Sequence, residues 1–244
     1  SGFAFNRTYN SKSNEDSAVG FGWSFSGSET VTELPNKDLL YTDADGTAHT
    51  FTYNSTTSSY ITPAGLYLSI KRAGSNAFEI KDFNGNRMIF RDLINDPEVN
   101  ARKFLIEYEE DRNLNRVTYQ RQTDGTLSSI TDASGRKLTF TYENGRIVST
   151  SFEGTQKTAY TYENGKLKTL TMYKEGSEGS VTQFTYNSDG KVSTILDANN
   201  QPTHYTYLNG FLTNVQQPTI ADTNLSKTTY SYDIANYTAT ETDA

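Results

Sequence analysis

Phe140-Thr141-Tyr142-Glu143-Asn144-Gly145-Arg146-Ile147 is the stretch on which the fold turns. An aromatic, a small polar residue, a Tyr and an acid lead into Asn-Gly, and a cation and an aliphatic lead out. Asn-Gly between two strand-forming runs favours a two-residue type I′ turn, because both central residues must take positive φ. In that register Glu143 faces Arg146 and Tyr142 faces Ile147, an ion pair and an aromatic–aliphatic pair directly across the ladder. Cross-strand pairs of these kinds stabilise a hairpin by a few tenths to about 1 kcal/mol each.

Working outward, the unit recurs, which makes repetition the organising feature of the chain. Tyr160-Thr161-Tyr162, Phe184-Thr185-Tyr186, Tyr205-Thr206-Tyr207 and Tyr230-Ser231-Tyr232 repeat the triplet. Asn164-Gly165, Asp189-Gly190 and Asn209-Gly210 repeat the turn, and Leu167, Val192 and Leu212 follow each Gly by two. Tyr162 is thus expected opposite Leu167, Glu163 opposite Lys166, and Tyr207 opposite Leu212. One extra residue in the third copy gives the loop Ser188-Asp189-Gly190, with Gly in the left-handed position, and returns Tyr186 opposite Val192.

A second motif precedes the aromatics. Asp43, Asp82, Asp132 and Asp197 are followed three residues on by Gly46, Gly85, Gly135 and Asn200, and eight residues on by Phe51, Phe90, Phe140 and Tyr205. Asp first and Gly fourth is the pattern of a type I turn, and Asn tolerates the same left-handed geometry. The first half of the chain is therefore built from the same unit as the second, in more divergent copies.

Composition agrees. Among 244 residues there are 35 Thr, 17 Tyr and 13 Phe, types that fit a pleated, half-buried surface. The expected fold class is all-β, with antiparallel β-hairpin repeats in a continuous, curling sheet. Candidate strands fill the chain from 39–42 to 227–233. The best helical alternative is Asp92 to Tyr108, where Asn95-Asp96-Pro97-Glu98 resembles a helix start. With no low-complexity linker, residues 1–40 read as an N-terminal cap and 41–244 as one repeat domain.

The same residues exclude whole classes of function. Without cysteine there is no disulfide, thiolate nucleophile or Cys-ligated metal. A net charge of −7 without a Lys/Arg cluster argues against a nucleic-acid partner. The longest apolar runs are a few residues, too short to span a bilayer, so no membrane partner is expected. No charged-then-apolar signal sequence opens the chain.

Tyr142-Glu143, Tyr162-Glu163 and Tyr232-Asp233, with their Asn/Asp-Gly-Arg/Lys-aliphatic continuations, resemble the YD repeats of the bacterial RHS/YD-repeat family. Asn6-Arg7-Thr8-Tyr9-Asn10-Ser11 with Gly20-Phe21-Gly22-Trp23-Ser24 is similar to the segment that precedes such repeats. The family takes in wall-associated proteins of Gram-positive bacteria, RHS polymorphic toxins and, more distantly, Tc-toxin C subunits and teneurins. The resemblance implies a β-sheet spiralling into a hollow shell around a C-terminal toxin domain, in a secreted or cell-surface protein of a bacterium, Gram-positive by preference. The family's aspartate-rich autoproteolysis segment is not found in this stretch, and Asp96-Pro97 stands in another context. A piece of shell wall is therefore expected, not a shell closed by itself.

Individual residues yield no catalytic, cofactor or metal assignment. His49 and His204, the two imidazoles, precede Phe51 and Tyr205 in equivalent repeats and read as strand-surface residues. Asp43-Ala44-Asp45-Gly46 hints at a calcium loop, but Gly falls fourth instead of sixth and Asn54 falls twelfth where an acid is needed. Glu107-Tyr108-Glu109-Glu110-Asp111 reads as a solvated hairpin end. Trp23, between Gly22 and Ser24, reads as a plug under the cap. Asn6-Arg7-Thr8, Asn54-Ser55-Thr56, Asn224-Leu225-Ser226 and Asn236-Tyr237-Thr238 match the glycosylation triplet, which means little in a bacterial chain.

The expected function is non-enzymatic: a structural fragment of an RHS-type protein that scaffolds or encapsulates a downstream effector or toxin domain of the same full-length chain. Carbohydrate binding by the aromatic strands, to a cell-wall or host glycan, is the alternative. A polysaccharide-cleaving enzyme with paired acids is a third reading. No cofactor is expected.

Overall fold

The structure, a computed structural model, describes residues 5–92, 101–218, 226–233 and 238–243, with side chains as far as residue 218. Among the described residues there is no helix. The chain divides into two compact units, Ser1–Thr155 and Gln156–Ala244.

The first unit opens with short strands β1 (Arg7–Tyr9), β2 (Asp16–Ser17), β3 (Gly20–Phe21) and β4 (Trp23–Phe25). β1 pairs with β4, placing Tyr9 opposite Trp23 with ring centroids 5.3 Å apart. β2 and β3 form a tight hairpin whose tip residue, Val19, is fully buried. Gly22 is required where these strands meet. Its φ is +80° and a Cβ would come within 2.9 Å of the Tyr9 ring.

Eight strands follow: β5 (Thr30–Glu33), β6 (Leu39–Thr42), β7 (Ala48–Asn54), β8 (Ser59–Ile61), β9 (Leu68–Arg72), β10 (Ala77–Asp82), β11 (Arg87–Arg91) and β12 (Arg102–Glu110). Each neighbours the next, and the first half of β12 pairs back onto β5, with Phe104 opposite Val31. The meander thereby closes into an eight-stranded barrel, which removes the open edges a flat sheet would leave. Alternation sends Val31, Leu39, Phe51, Phe78, Ile80, Phe90, Phe104 and Ile106 inside, all fully buried. Rings meet between strands that are not neighbours: Phe78 and Phe104 at 4.8 Å, Tyr41 and Phe90 at 5.8 Å. Eight strands enclose a space that side chains can fill, so this interior is a core and not a channel.

β12 outruns β5. Its last residues, Tyr108–Glu110, pair instead with β13 (Arg116–Arg121), and the ladder continues through β14 (Leu127–Thr131), β15 (Lys137–Glu143) and β16 (Arg146–Phe152). The second unit comprises β17 (Thr155–Glu163), β18 (Lys166–Lys174), β19 (Ser177–Tyr186), β20 (Val192–Leu196), β21 (Pro202–Leu208), β22 (Phe211–Gln217), β23 (Ser226–Asp233) and β24 (Thr238–Asp243). It is an antiparallel meander in chain order.

The expected fold class, all-β with antiparallel hairpin repeats in a curling ladder, is borne out. So is the register. Tyr142 faces Ile147, Tyr162 faces Leu167, Tyr186 faces Val192 and Tyr207 faces Leu212. Glu143 faces Arg146 and Glu163 faces Lys166. Asn144 and Gly145 have φ of 49° and 76°, the type I′ geometry, and Gly190 is left-handed at 76°. The triplet's middle residue is exposed in all four described copies. Its flanking aromatics therefore share the inner face with the buried aliphatics.

Three features depart from expectation. Every one of these hairpins carries a bulge just after the aliphatic, so Val148, Lys168, Ser193 and Thr213 have no direct partner. A long helix from Asp92 to Tyr108 is excluded, because residues 102–110 are strand β12, while Asn95-Asp96-Pro97-Glu98 lies outside the described residues. Finally, Glu175-Gly176, with φ of 52° and 80°, makes a tight turn that starts β19 at Ser177. Glu rarely adopts that conformation, which hides such a turn from sequence reading.

Candidate functional site

The repeat itself carries the most informative chemistry. A Tyr brought to the inner face by alternation has a ring to bury and a hydroxyl to satisfy. Tyr186 donates its hydroxyl to the carbonyl of Leu167 at 2.7 Å, and Tyr142 donates to the carbonyl of Leu127 at 2.7 Å. Leu167 is the aliphatic of the preceding hairpin. Leu127 occupies the same place in its own hairpin, where it faces Arg121 across a bulge. Tyr119-Gln120-Arg121 is thus a further copy of the triplet with Arg in the second aromatic position. Sequence reading missed it because Arg stands where Tyr was sought.

The cation before each aliphatic completes the contact. Lys166 Nζ lies 6.0 Å from the centroid of Tyr186, and Lys191 Nζ lies 5.9 Å from that of Tyr207. Within each unit a hairpin therefore offers the next an acceptor carbonyl, a buried aliphatic or a cation over the ring. Cation–π contacts of this partly exposed kind contribute about 0.5–1 kcal/mol. The turn motif is also wider than its four predicted copies. Asp111 Oδ1 accepts the amides of Asn113 and Asn115, and Asn187 Oδ1 those of Asp189 and Lys191, as Asp132 Oδ1 does for Ser134 and Arg136.

Within the first unit the cap docks on this ladder. Ile147 donates its amide to the Ala18 carbonyl at 2.8 Å, and Arg146 reaches the Ser17 carbonyl at 2.6 Å and Asp16 at 2.7 Å. Phe5 packs on Phe140 at 5.0 Å. Arg121 bonds the carbonyls of Gly27, Gly125 and Ile106. Burial lowers its pKa to about 10. Beside it Glu29, 6% exposed, accepts the Gly27 amide, and burial raises its pKa to about 7. Tyr119 donates to Glu109 at 2.9 Å. A cavity of about 320 Å³ lies against the cap, with Trp23, Lys103, Leu105, Arg121, Leu127 and Tyr142 among its walls.

The residues singled out in the sequence are scattered. His49 Nε2 lies 2.9 Å from Asp43 Oδ2 in the first unit, and His204 Nδ1 lies 3.1 Å from Thr194 Oγ1 in the second. Asp43 caps its own turn, with Oδ1 accepting the amides of Asp45 and Thr47. Among the described residues no three or more His, Cys, Asp or Glu gather as a metal would need. Trp23 is 8% exposed against Tyr9, as a plug would be. The acidic run is not a solvated end. Glu110 sits between Arg87 at 2.6 Å and Arg116 at 2.8 Å, and Glu107 meets Arg91 at 2.8 Å. Arg116, then Arg87, holds the Glu110 carboxyl below its usual range. The acids are tied into the wall because cations on β11 and β13 stand opposite or beside them.

Residues 1–51 match the model of a family described as a domain of unknown function, DUF6531. The resemblance to RHS-type proteins is borne out. No curated protein matches the chain. Among solved structures, TcdB2-TccC3 without its hypervariable C-terminal region is 12% identical with a TM-score of 0.42, over 81% of this chain and 14% of that one. The N-terminal domain of the effector protein SpvB from Salmonella typhimurium strain LT2 is 13% identical with a TM-score of 0.41, over 100% and 95%. A Tc holotoxin pore from Photorhabdus luminescens is 12% identical with a TM-score of 0.38, over 86% and 15%. This chain thus spans about 14% of the TcdB2-TccC3 chain to which it is similar.

Proposed function

We propose that this chain is a structural segment of a secreted or cell-surface RHS-type protein, whose repeats form wall around a C-terminal effector or toxin domain of the same polypeptide. The observation that carries the reading is the contact between successive hairpins: the tyrosine of one donates to the aliphatic carbonyl of the one before. A unit that satisfies its buried hydroxyl only through its neighbour is stable as part of an array and not alone. Such a wall acts sterically, by many backbone hydrogen bonds and packed rings that resist opening. No cofactor or chemistry is required of it.

The aromatic side chains support this use over glycan binding. Tyr186 has its hydroxyl engaged and Lys166 over its ring, and Tyr160 is 3% exposed, so neither presents an open platform to a sugar. The test is to express the chain in its full reading frame, with whatever follows it, and digest with graded protease. Enclosure predicts that the following segment survives as long as the repeats do. Rapid loss of that segment from intact repeats would overturn the reading.

A further inference from the structure

Three connections at one end of the barrel hold large apolar side chains in solvent. Tyr67 just before β9, Phe83 in the β10–β11 turn and Leu114 in the β12–β13 turn are 78%, 81% and 74% exposed. Register places them side by side. Tyr67 adjoins Leu68, which pairs with Asp82, and Phe83 follows Asp82. Beyond that turn Arg87 pairs with Glu110, which leads into the turn holding Leu114. A Cβ on Gly85 would sit 3.8 Å from Cβ of Arg112, so the two turns are in contact. The β6–β7 turn, at the same end, is instead held by the cap through Ser24, which donates to the Ala44 carbonyl at 2.8 Å.

The repeat supplies its own control. At the second position of the Asp turn, where Phe83 stands, other copies have Ala44, Ala133 and Ala198. At the fourth, where Leu114 stands, they have Gly46, Gly85, Gly135 and Asn200. Leu114 holds a φ of +66°, a left-handed conformation that costs an L-residue roughly 1–2 kcal/mol. No burial offsets that cost. Local preferences broken without gain inside the chain point to a use outside it.

The flanking charges indicate what that use is. Lys81 and Arg112 stand beside the tips, and among the described residues neither has a salt-bridge partner, although Arg112 helps to hold the Asp111 carboxyl below its usual range. The carboxylates of Asp82 and Asp111 are turned onto the amides of their own turns. We propose that this end of the barrel docks on a membrane surface containing anionic lipid. Tyr67, Phe83 and Leu114 enter the headgroup region, and Lys81 and Arg112 meet lipid phosphates. Separate projecting tips suit a surface that deforms around them, whereas a protein partner would need a matching hole for each. Aromatic and aliphatic tips flanked by cations are the chemistry of interfacial insertion, which needs no spanning segment. The net charge of −7 lies mostly elsewhere on the chain, and at physiological salt repulsion beyond about 8 Å is screened.

Co-sedimentation of the whole chain with vesicles of phosphatidylcholine and phosphatidylserine tests this. The chain is expected in the pellet, with roughly tenfold weaker binding for Phe83→Ser and for Leu114→Gly, the consequence of removing one apolar anchor each. Leu114→Gly should at the same time raise the thermal midpoint, because Gly accepts that φ, so its weaker binding would not be a folding defect. Arg112→Glu should weaken binding to the mixed vesicles and leave any binding to pure phosphatidylcholine unchanged. Absence of binding, or binding that survives Phe83→Ser with Leu114→Gly, would overturn the proposal. A concentration-dependent dimer abolished by those substitutions would also overturn it, by assigning the tips to self-association.

Discussion

At the Leu167 carbonyl a lone pair left over from the strand ladder receives a tyrosine hydroxyl from the next hairpin. The pairing lets an aromatic ring be buried without stranding its polar end, and it dictates which neighbour a hairpin must have. Tyr186→Phe keeps the ring and removes the donor, so a loss of about 1 kcal/mol is expected, read as a lower urea midpoint at unchanged slope. Glu29 makes a second residue-scale prediction. Its folded pKa, raised by burial to about 7, exceeds the ordinary glutamate value, so the folded state holds the proton more tightly than the unfolded one. Glu109 adds to the rise and Arg121 opposes it. The contribution is fully present below about pH 4.5 and declines as pH rises to about 7. Stability should therefore fall across that window by an amount on the order of 3 kcal/mol, and Glu29→Gln should flatten the profile. Denaturation midpoints of both proteins at pH 5 and pH 8 check it.

Elements repeat this logic with turns. Asn-Gly and Asp-x-x-Gly were legible because each needs a particular residue at a particular backbone angle, and that need is local. The bulges after Ile147, Leu167, Val192 and Leu212 were not legible, since a bulge depends on how two strands twist against their neighbours. The cap shows the same limit. Its tip bonds the Ile147 amide, a contact across more than a hundred residues that no periodicity announces. Gly27 is a point of close approach between cap and ladder: its φ is +94° and a Cβ would lie 2.7 Å from the Tyr119 ring. Gly27→Ala is expected to cost more than 2 kcal/mol through strain and overpacking together. Trp23, the single tryptophan, lies four residues before Gly27 and is 8% exposed. Its emission should shift to the red in the variant before the rest of the chain unfolds.

On the scale of the molecule, closure of β5 onto β12 converts a meander into a barrel with its own aromatic core. Phe104 sits at that seam, fully buried, opposite Val31 and against Phe78. Phe104→Ala should cost about 3–5 kcal/mol, as large-to-small changes in packed cores do. Near-ultraviolet circular dichroism during denaturation would record it as loss of the aromatic signal at lower urea. No comparable penalty is expected at Phe83, which is 81% exposed.

Within the repeats, the hairpin strands, the Tyr–aliphatic register, the Asn-Gly and Asp-x-x-Gly turns and the face each repeat tyrosine occupies were determined by the sequence alone. All follow from alternation with a period of two and from the angles that Asn, Asp and Gly accept, and these act over a few residues. The tertiary structure decided where the meander closes, which carbonyl each tyrosine finds, and which acids are paired in the wall. It also decided where the cap rests and which apolar residues stay in solvent. Those outcomes depend on accumulated twist and on contacts between residues far apart in the chain, whose partners are chosen only when the strands have already assembled.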